Sequence, residues 1–203
     1  GPLSPLLANV LLDEVDRELE RRGHRFVRYA DDCNVYVKSL RAGQRVLEAL
    51  RRCYDKLRLQ VNEAKTAVVV VWGRKFLGYC LRRSPKGSVK LAIAVQAQEK
   101  ARGRLRQITK RNRGRSIEQV VSERKDYVPG WKAYFQLAQT PTVLRELDSW
   151  LRRRLRALQL KQWKTRPRTY RALRRLGATE AVATAVARNV GSWWRSSLHV
   201  GRV

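Results

Sequence analysis

Phe26-Val27-Arg28-Tyr29-Ala30-Asp31-Asp32-Cys33-Asn34-Val35-Tyr36-Val37 sets two short apolar runs on either side of a polar centre. Aromatic and β-branched residues favour extended backbone, and a polar centre between two such runs favours a turn. The stretch therefore predicts a β-hairpin with strands at 26–29 and 33–37 and Ala30-Asp31-Asp32 as its turn. Two adjacent carboxylates on a rigid turn have the chemistry to coordinate a hard divalent cation such as Mg²⁺. In two-metal phosphoryl transfer, ions roughly 3.5–4 Å apart serve the attacking and the leaving oxygen. Asp-Asp alone is an ordinary polar turn; the flanking strands and the helix before them make the metal reading the sharper one.

On the N-terminal side, Ser4-Pro5 opens a predicted helix, with Ser4 as N-cap and Pro5 at the first helical position. Leu7, Leu11, Val15 and Leu19 share one face, Asp13, Glu14, Asp16 and Glu18 face solvent, and Gly23 ends the helix. After the hairpin a second amphipathic helix buries Val46, Leu50, Tyr54 and Leu57. Asn62-Glu63-Ala64-Lys65-Thr66 is a loop, and Ala67-Val68-Val69-Val70-Val71 a buried strand by its β-branched run. Lys75-Phe76-Leu77-Gly78-Tyr79-Cys80-Leu81 is a further strand, turning at Ser84-Pro85-Lys86-Gly87. This first part is α+β. From about Ile93 the pattern is helical throughout, with helices near 94–110, 117–139 (kinked at Pro129-Gly130), 142–163, and a short one between Pro167 and Gly177. An apolar stripe of Leu144, Leu147, Leu151, Leu155 and Leu158 leaves Arg145, Arg152 and Arg156 on a basic face. An Ala/Val-rich helix follows Ala178; Trp193-Trp194 has no assignable element.

Charge narrows the partners. The 203 residues carry 45 Lys+Arg against 17 Asp+Glu, a net +28. Residues 1–79 hold 15 basic and 10 acidic side chains, net +5; residues 80–203 hold 30 and 7, net +23. With 43% hydrophobic residues the chain can bury a core, so this charge does not imply disorder. A folded region this basic calls for a polyanion, and nucleic acid fits because its phosphates neutralise Lys and Arg and release counterions. No long apolar run suits a membrane. Cys33, Cys53 and Cys80 are scattered and the only histidines are His24 and His199, which argues against a disulfide framework or a zinc site. The chain has no Met, so it reads as a piece of a longer translation product.

Tyr29-Ala30-Asp31-Asp32 resembles the catalytic motif of reverse transcriptases. Gly1-Pro2-Leu3-Ser4-Pro5-Leu6-Leu7-Ala8-Asn9 is similar to the segment beside the incoming nucleotide in group II intron enzymes. Leu59-Gln60-Val61-Asn62-Glu63-Ala64-Lys65-Thr66 is similar to the next block of that family, and Phe76-Leu77-Gly78-Tyr79 to the block that grips the primer. Gly130-Trp131-Lys132-Ala133-Tyr134-Phe135, Leu147-Asp148-Ser149-Trp150-Leu151-Arg152-Arg153-Arg154 and Lys161-Gln162-Trp163-Lys164 resemble the maturase domain. The blocks follow the family's order along nearly the whole chain. One departure is Cys33, where the family tends to have an apolar aromatic.

The resemblance implies a partial right-hand-polymerase palm over residues 1–90 and an all-α thumb and maturase domain over 91–203. It implies RNA-directed DNA synthesis coupled to splicing and retrohoming, with group II intron RNA, a template–primer and dNTPs as partners. Asp31 and Asp32 become the Mg²⁺ ligands, and Lys65 a proton donor or charge stabiliser for the leaving pyrophosphate. Tyr29, Phe76, Leu77, Gly78 and Tyr79 lie toward the nucleic acid, with Gly78 allowing close backbone approach. Arg102, Arg106, Arg113, Arg152, Arg156, Arg166 and Arg168 contact phosphates, while Trp131, Trp150 and Trp163 enter the helical core. These polymerases use a third aspartate from an upstream palm strand that this sequence does not contain, and Asp13 and Asp16 sit on an exposed helical face. The metal site is therefore expected to be incomplete and the isolated chain inactive, unless a missing N-terminal palm and fingers segment or a homodimer partner completes it. A non-catalytic RNA-binding maturase is the alternative. The excess of Arg over Lys suggests a bacterial source, with the protein cytoplasmic and bound to nucleic acid.

Overall fold

The computed structural model describes residues 3–199; Gly1 and Pro2 of the first matched block lie outside them. The architecture among the described residues is α+β, with eight helices and two antiparallel hairpins. The chain divides into two compact units between Val71 and Trp72. The expected division at 90/91 falls later, so the second hairpin clusters with the helices that follow it.

The first unit contains α1 (Leu3–Arg21), β1 (Arg25–Tyr29), β2 (Asp32–Tyr36) and α2 (Leu40–Lys56). Gly23, at φ +69°, reverses the chain after α1, a conformation costly for any residue with a Cβ. Leu12, Val15 and Leu19 of α1 and Val46 of α2 form a buried cluster against Phe26, Val35, Leu50, Tyr54 and Leu57. The buried stripe of α1 is thus Leu12, Val15 and Leu19. Leu7 is 64% exposed and Leu11 41%, contrary to the sequence expectation. The α1 rotation that buries Leu12 also turns Asp16 inward, where it meets Arg28; the expectation that Asp16 faces solvent is corrected. Asp13 does face outward, paired with Arg17 one turn on.

The valine run at 67–71 forms no strand. β-Branched residues favour extended backbone, but a strand needs a neighbouring ladder, and this run has none among the described residues. Val69 and Val70 are exposed, while Val68 packs on Gly43 of α2, where a Cβ would lie 2.4 Å from a Val68 methyl.

The second unit contains β3 (Tyr79–Arg83), β4 (Val89–Ile93), α3 (Val95–Ile108), α4 (Ile117–Tyr134), α5 (Pro141–Trp163), α6 (Arg166–Arg175), α7 (Glu180–Arg188) and α8 (Trp193–His199). One core joins Leu105, Ile108, Val120, Leu151 and Leu158, so α3, α4 and α5 meet along the predicted leucine stripe. A second joins Leu160, Leu173, Ala178, Ala183 and Val186, closing α6 and α7 on the end of α5. Trp150 and Trp163 border these cores and Trp131 packs on Phe135; all three are half-buried. A reciprocal capping box between Ser116 and Gln119 starts α4, which runs through Pro129 and stops at Tyr134 rather than at 139. Trp193-Trp194 opens α8, which packs on α5 through Arg153 and Arg156: Arg153 lies 3.9 Å over the Trp194 ring and Arg156 donates to the Ser197 carbonyl at 3.0 Å.

The stretch expected as a strand at 75–81 instead holds a tight turn. Phe76 and Tyr79 exchange backbone hydrogen bonds of 2.8 Å in both directions, and Leu77 (φ +50°) and Gly78 (φ +78°) are the two central residues. Two positive φ values in a two-residue loop are the signature of a type I′ turn.

Candidate active site and nucleic-acid interface

The first hairpin pairs Tyr29 with Asp32 and Arg28 with Cys33, leaving Ala30 and Asp31 as a two-residue turn. Residues alternate across a strand. Phe26 and Arg28 face inward, and Val27 and Tyr29 outward, with Tyr29 62% exposed. Asp31 and Asp32 are both exposed. Their carboxylates accept no hydrogen bond and form no ion pair among the described residues, in a chain that carries 45 cations. Hard oxygen donors left free on a rigid turn fit a hard cation. The fit is partial, because among the described residues no three His, Cys, Asp or Glu side chains converge.

Asp16 is the acid tied to this turn, and it is engaged. Arg28 grips it through Nε, at 2.9 and 3.0 Å from the two carboxylate oxygens, and through Nη2 at 2.5 Å. Nη1 of the same guanidinium donates to Asn9 Oδ1 at 2.8 Å and to the Ala30 carbonyl at 3.0 Å. A bidentate carboxylate–guanidinium pair is strong and directional, and this one is poorly exposed, 12% for Arg28 and 21% for Asp16. The carboxylate raises the Arg28 pKa further. A cleft beside the pair is lined by Pro5, Asn9, Phe26, Arg28, Tyr29 and Ala30. Sequence reasoning missed Arg28: it shares the face of Phe26, but its partner Asp16 lies on another element. Lys65 is exposed in a loop whose backbone closes on Asn62, and it is neither bonded nor paired to Asp31 or Asp32. Glu63 holds that loop to α2 through a two-point pair with Arg51.

In the second unit, two of the separately matched blocks meet. The Phe76–Tyr79 turn packs on the end of α4: Tyr134 donates to the Leu77 carbonyl at 3.0 Å, and Tyr79 donates back to the Tyr134 carbonyl. Phe135 is buried, with its ring 5.1 Å from Tyr79 and 4.8 Å from Tyr134. A Cβ on Gly78 would stand 3.0 Å from the Phe135 ring, so the positive φ and this packing account for the glycine.

The basic side chains are not uniform. Arg152 pairs with Asp148, and Arg104 and Arg115 share Glu123. Arg102 is half-buried on α3, and Arg166 and Arg168 are exposed at the start of α6. Arg156 is half-buried; burial and its neighbours Arg152 and Arg153 lower its pKa. Cations concentrate at the C-terminal end of α3. Arg154 donates to Thr109 Oγ1 at 2.6 Å and, with Arg106, lies over the Trp150 ring at 5.2 and 5.8 Å. Arg111 and Lys161 lie over Trp193 at 6.0 and 5.5 Å. Arg113 donates to the Gln107 carbonyl and Lys161 to Asn112 Oδ1. The free carbonyls of a helix end attract positive charge, yet more cations gather here than one helix end needs. None of Arg106, Arg111, Arg154 and Lys161 has an acidic partner among the described residues. Burial first, and then the like charges of Arg111 and Arg106, push the Arg154 pKa down. Of this cluster only Arg106 and Arg113 were expected to contact phosphates; Arg111 and Arg154 stood in basic runs of the sequence, but that they meet Lys161 and Trp193 comes only from the fold. No helix among the described residues is long and apolar enough to cross a membrane.

Two family models match the chain. The model for reverse transcriptase (RNA-dependent DNA polymerase) covers residues 1–81, and that for the group II intron, maturase-specific domain covers residues 98–177. No curated protein matched the chain.

Proposed function

The chain belongs to the group II intron reverse transcriptase/maturase family, and from that membership we propose how its parts divide the work. Residues 1–90 act as the metal-bearing part of a polymerase palm, and 91–203 as a thumb and maturase domain that holds RNA. Asp31 and Asp32 hold Mg²⁺ for nucleotidyl transfer from a dNTP to a primer on an RNA template. The observation that carries this is the pair of exposed carboxylates left without a cation among the described residues, in a chain of net charge +28. Bound there, Mg²⁺ supplies charge stabilisation on the transferring phosphate and a more acidic attacking hydroxyl. Lys65 serves the leaving pyrophosphate from its exposed loop, and the Phe76–Tyr79 turn carries the primer strand. In the helical half, Arg102, Arg106, Arg113, Arg152, Arg156, Arg166 and Arg168, joined by Arg111, Arg154 and Lys161, take intron RNA phosphates. The site of action in this reading is on nucleic acid in a bacterial cytoplasm.

A second reading, an RNA-binding maturase without polymerase activity, is favoured by one observation. Asp31 and Asp32 have no third carboxylate beside them among the described residues, and Asp16 is held by Arg28. Primer extension on an RNA template decides between the two. Expected is no product from the 203-residue chain alone, and product when a palm segment bearing a further metal-binding aspartate is added in trans, lost again in Asp31→Ala. Product that survives Asp31→Ala contradicts the assignment of the turn. No product in any arm supports the maturase-only reading.

A further inference from the structure

We propose that Arg28 is a positioning residue that fixes the orientation of the Ala30–Asp31 peptide, and through it the direction of the Asp31 carboxylate. The proposal rests on the metal-facing role of Asp31 and adds the device that aims it. Ala30 sits at φ +53°, and Asp31 is not in the left-handed region. In two-residue hairpin turns, positive φ at the first central residue alone belongs to type II′, and at both to type I′. The two differ chiefly by rotation of the peptide between the central residues. Type II′ ordinarily takes Gly at its first position, and Ala is strained there. Asp tolerates the left-handed region, so type I′ is open to Asp31. The residue types thus do not select the observed turn. An external contact does: the carbonyl of that central peptide, Ala30 O, accepts from Arg28 Nη1 at 3.0 Å. Flipping the peptide would carry this oxygen away from Arg28 and swing the Asp31 side chain with it.

The guanidinium itself cannot follow. Its other donors are fixed by Asp16 and by Asn9 Oδ1, so α1 holds the arginine and the arginine holds the turn. A pair serving only to dock α1 on the hairpin would need Asp16 and Arg28 but not the bond to Ala30 O. Lysine keeps the charge at this position, but its single nitrogen lacks the planar fork that reaches Asp16, Asn9 and Ala30 O together.

The test uses the ¹⁵N-labelled 203-residue chain and its Arg28→Lys variant. Backbone relaxation dispersion and amide exchange are read at Ala30, Asp31 and Asp32 and compared with Phe26, Val35 and Val15. Expected in Arg28→Lys is new microsecond–millisecond exchange confined to residues 30–32, with protection elsewhere kept. The Mg²⁺ concentration that half-shifts the Asp31 amide should rise by about tenfold, as for loss of a group that orients a metal ligand. Wild-type behaviour at the turn, or protection lost evenly over the hairpin and α1, overturns the proposal. If Arg28→Lys does not fold, Asn9→Ala, which leaves the ion pair intact, decides by the same signals. A wild-type chain whose Asp31 amide ignores Mg²⁺ defeats the metal role of the turn, while the exchange data still judge Arg28.

Discussion

Cys33 lies opposite Arg28 in the hairpin and shows how closed the ground behind the turn is. Its thiol is pushed up from 9.0 to about 11, first by burial and then by the Asp16 carboxylate, with Arg28 opposing. A raised thiol pKa means that the folded chain favours the protonated form. Stability is therefore unaffected below pH 9.0 and falls as the pH climbs from there towards 11, where the unfolded chain ionises first. At pH 8 the thiolate fraction drops from roughly 10% to roughly 0.1%. Alkylation of Cys33, followed by peptide mapping, should run on the order of a hundredfold slower in the folded than in the denatured chain. Equal rates would show that the ground behind the turn is open. At this scale the position of Asp31 and Asp32 at an exposed hairpin turn was legible, because residue type and flanking strands sufficed. Arg28 was not: a charge inside an apolar run reads as an outward residue unless its carboxylate is seen, and Asp16 lies on another element.

Among elements, the Phe76–Tyr79 turn carries the sharpest stability expectation. Gly78→Ala combines a left-handed backbone, costing about 1–2 kcal/mol, with a contact on the buried Phe135 ring. A total loss of roughly 2–3 kcal/mol should appear as a lower denaturant midpoint; an unchanged midpoint would mean that the turn does not pack on α4. The sequence suggested a strand here because Phe, Leu, Tyr and Cys all favour one. What bends the chain is an aromatic partner at Tyr134 and Phe135, and single-segment propensity does not register contacts so distant along the chain. The same limit explains α1. Its periodicity named a helix, and Val15 and Leu19 were placed correctly. The buried face nevertheless passes through Leu12 rather than Leu11, the side of α1 on which Asp16 meets Arg28. The leucine stripe of α5 was read well, since several leucines in register outweigh any one contact. The α8 helix was missed: its two tryptophans are held by cations of other elements, not by a periodicity of its own.

For the whole molecule, the uneven charge is the property that matters. Residues 80–203 carry net +23, and the fold draws Arg106, Arg111, Arg154 and Lys161 together at the end of α3 without acidic partners among the described residues. Composition announced a polyanion partner; it did not indicate which arginines stay free, because pairs such as Arg152–Asp148 and Arg115–Glu123 form only when the helices do. The most direct measurement is the affinity of the 203-residue chain for a group II intron RNA as salt is raised from about 50 to about 200 mM. Binding through phosphates should weaken along a straight line in log affinity against log salt, by about a thousandfold or more over that range. Arg106→Gln and Arg111→Gln should each flatten the slope by about 0.7–0.9. A flat response, or slopes indifferent to both substitutions, would contradict an intron RNA-binding helical half.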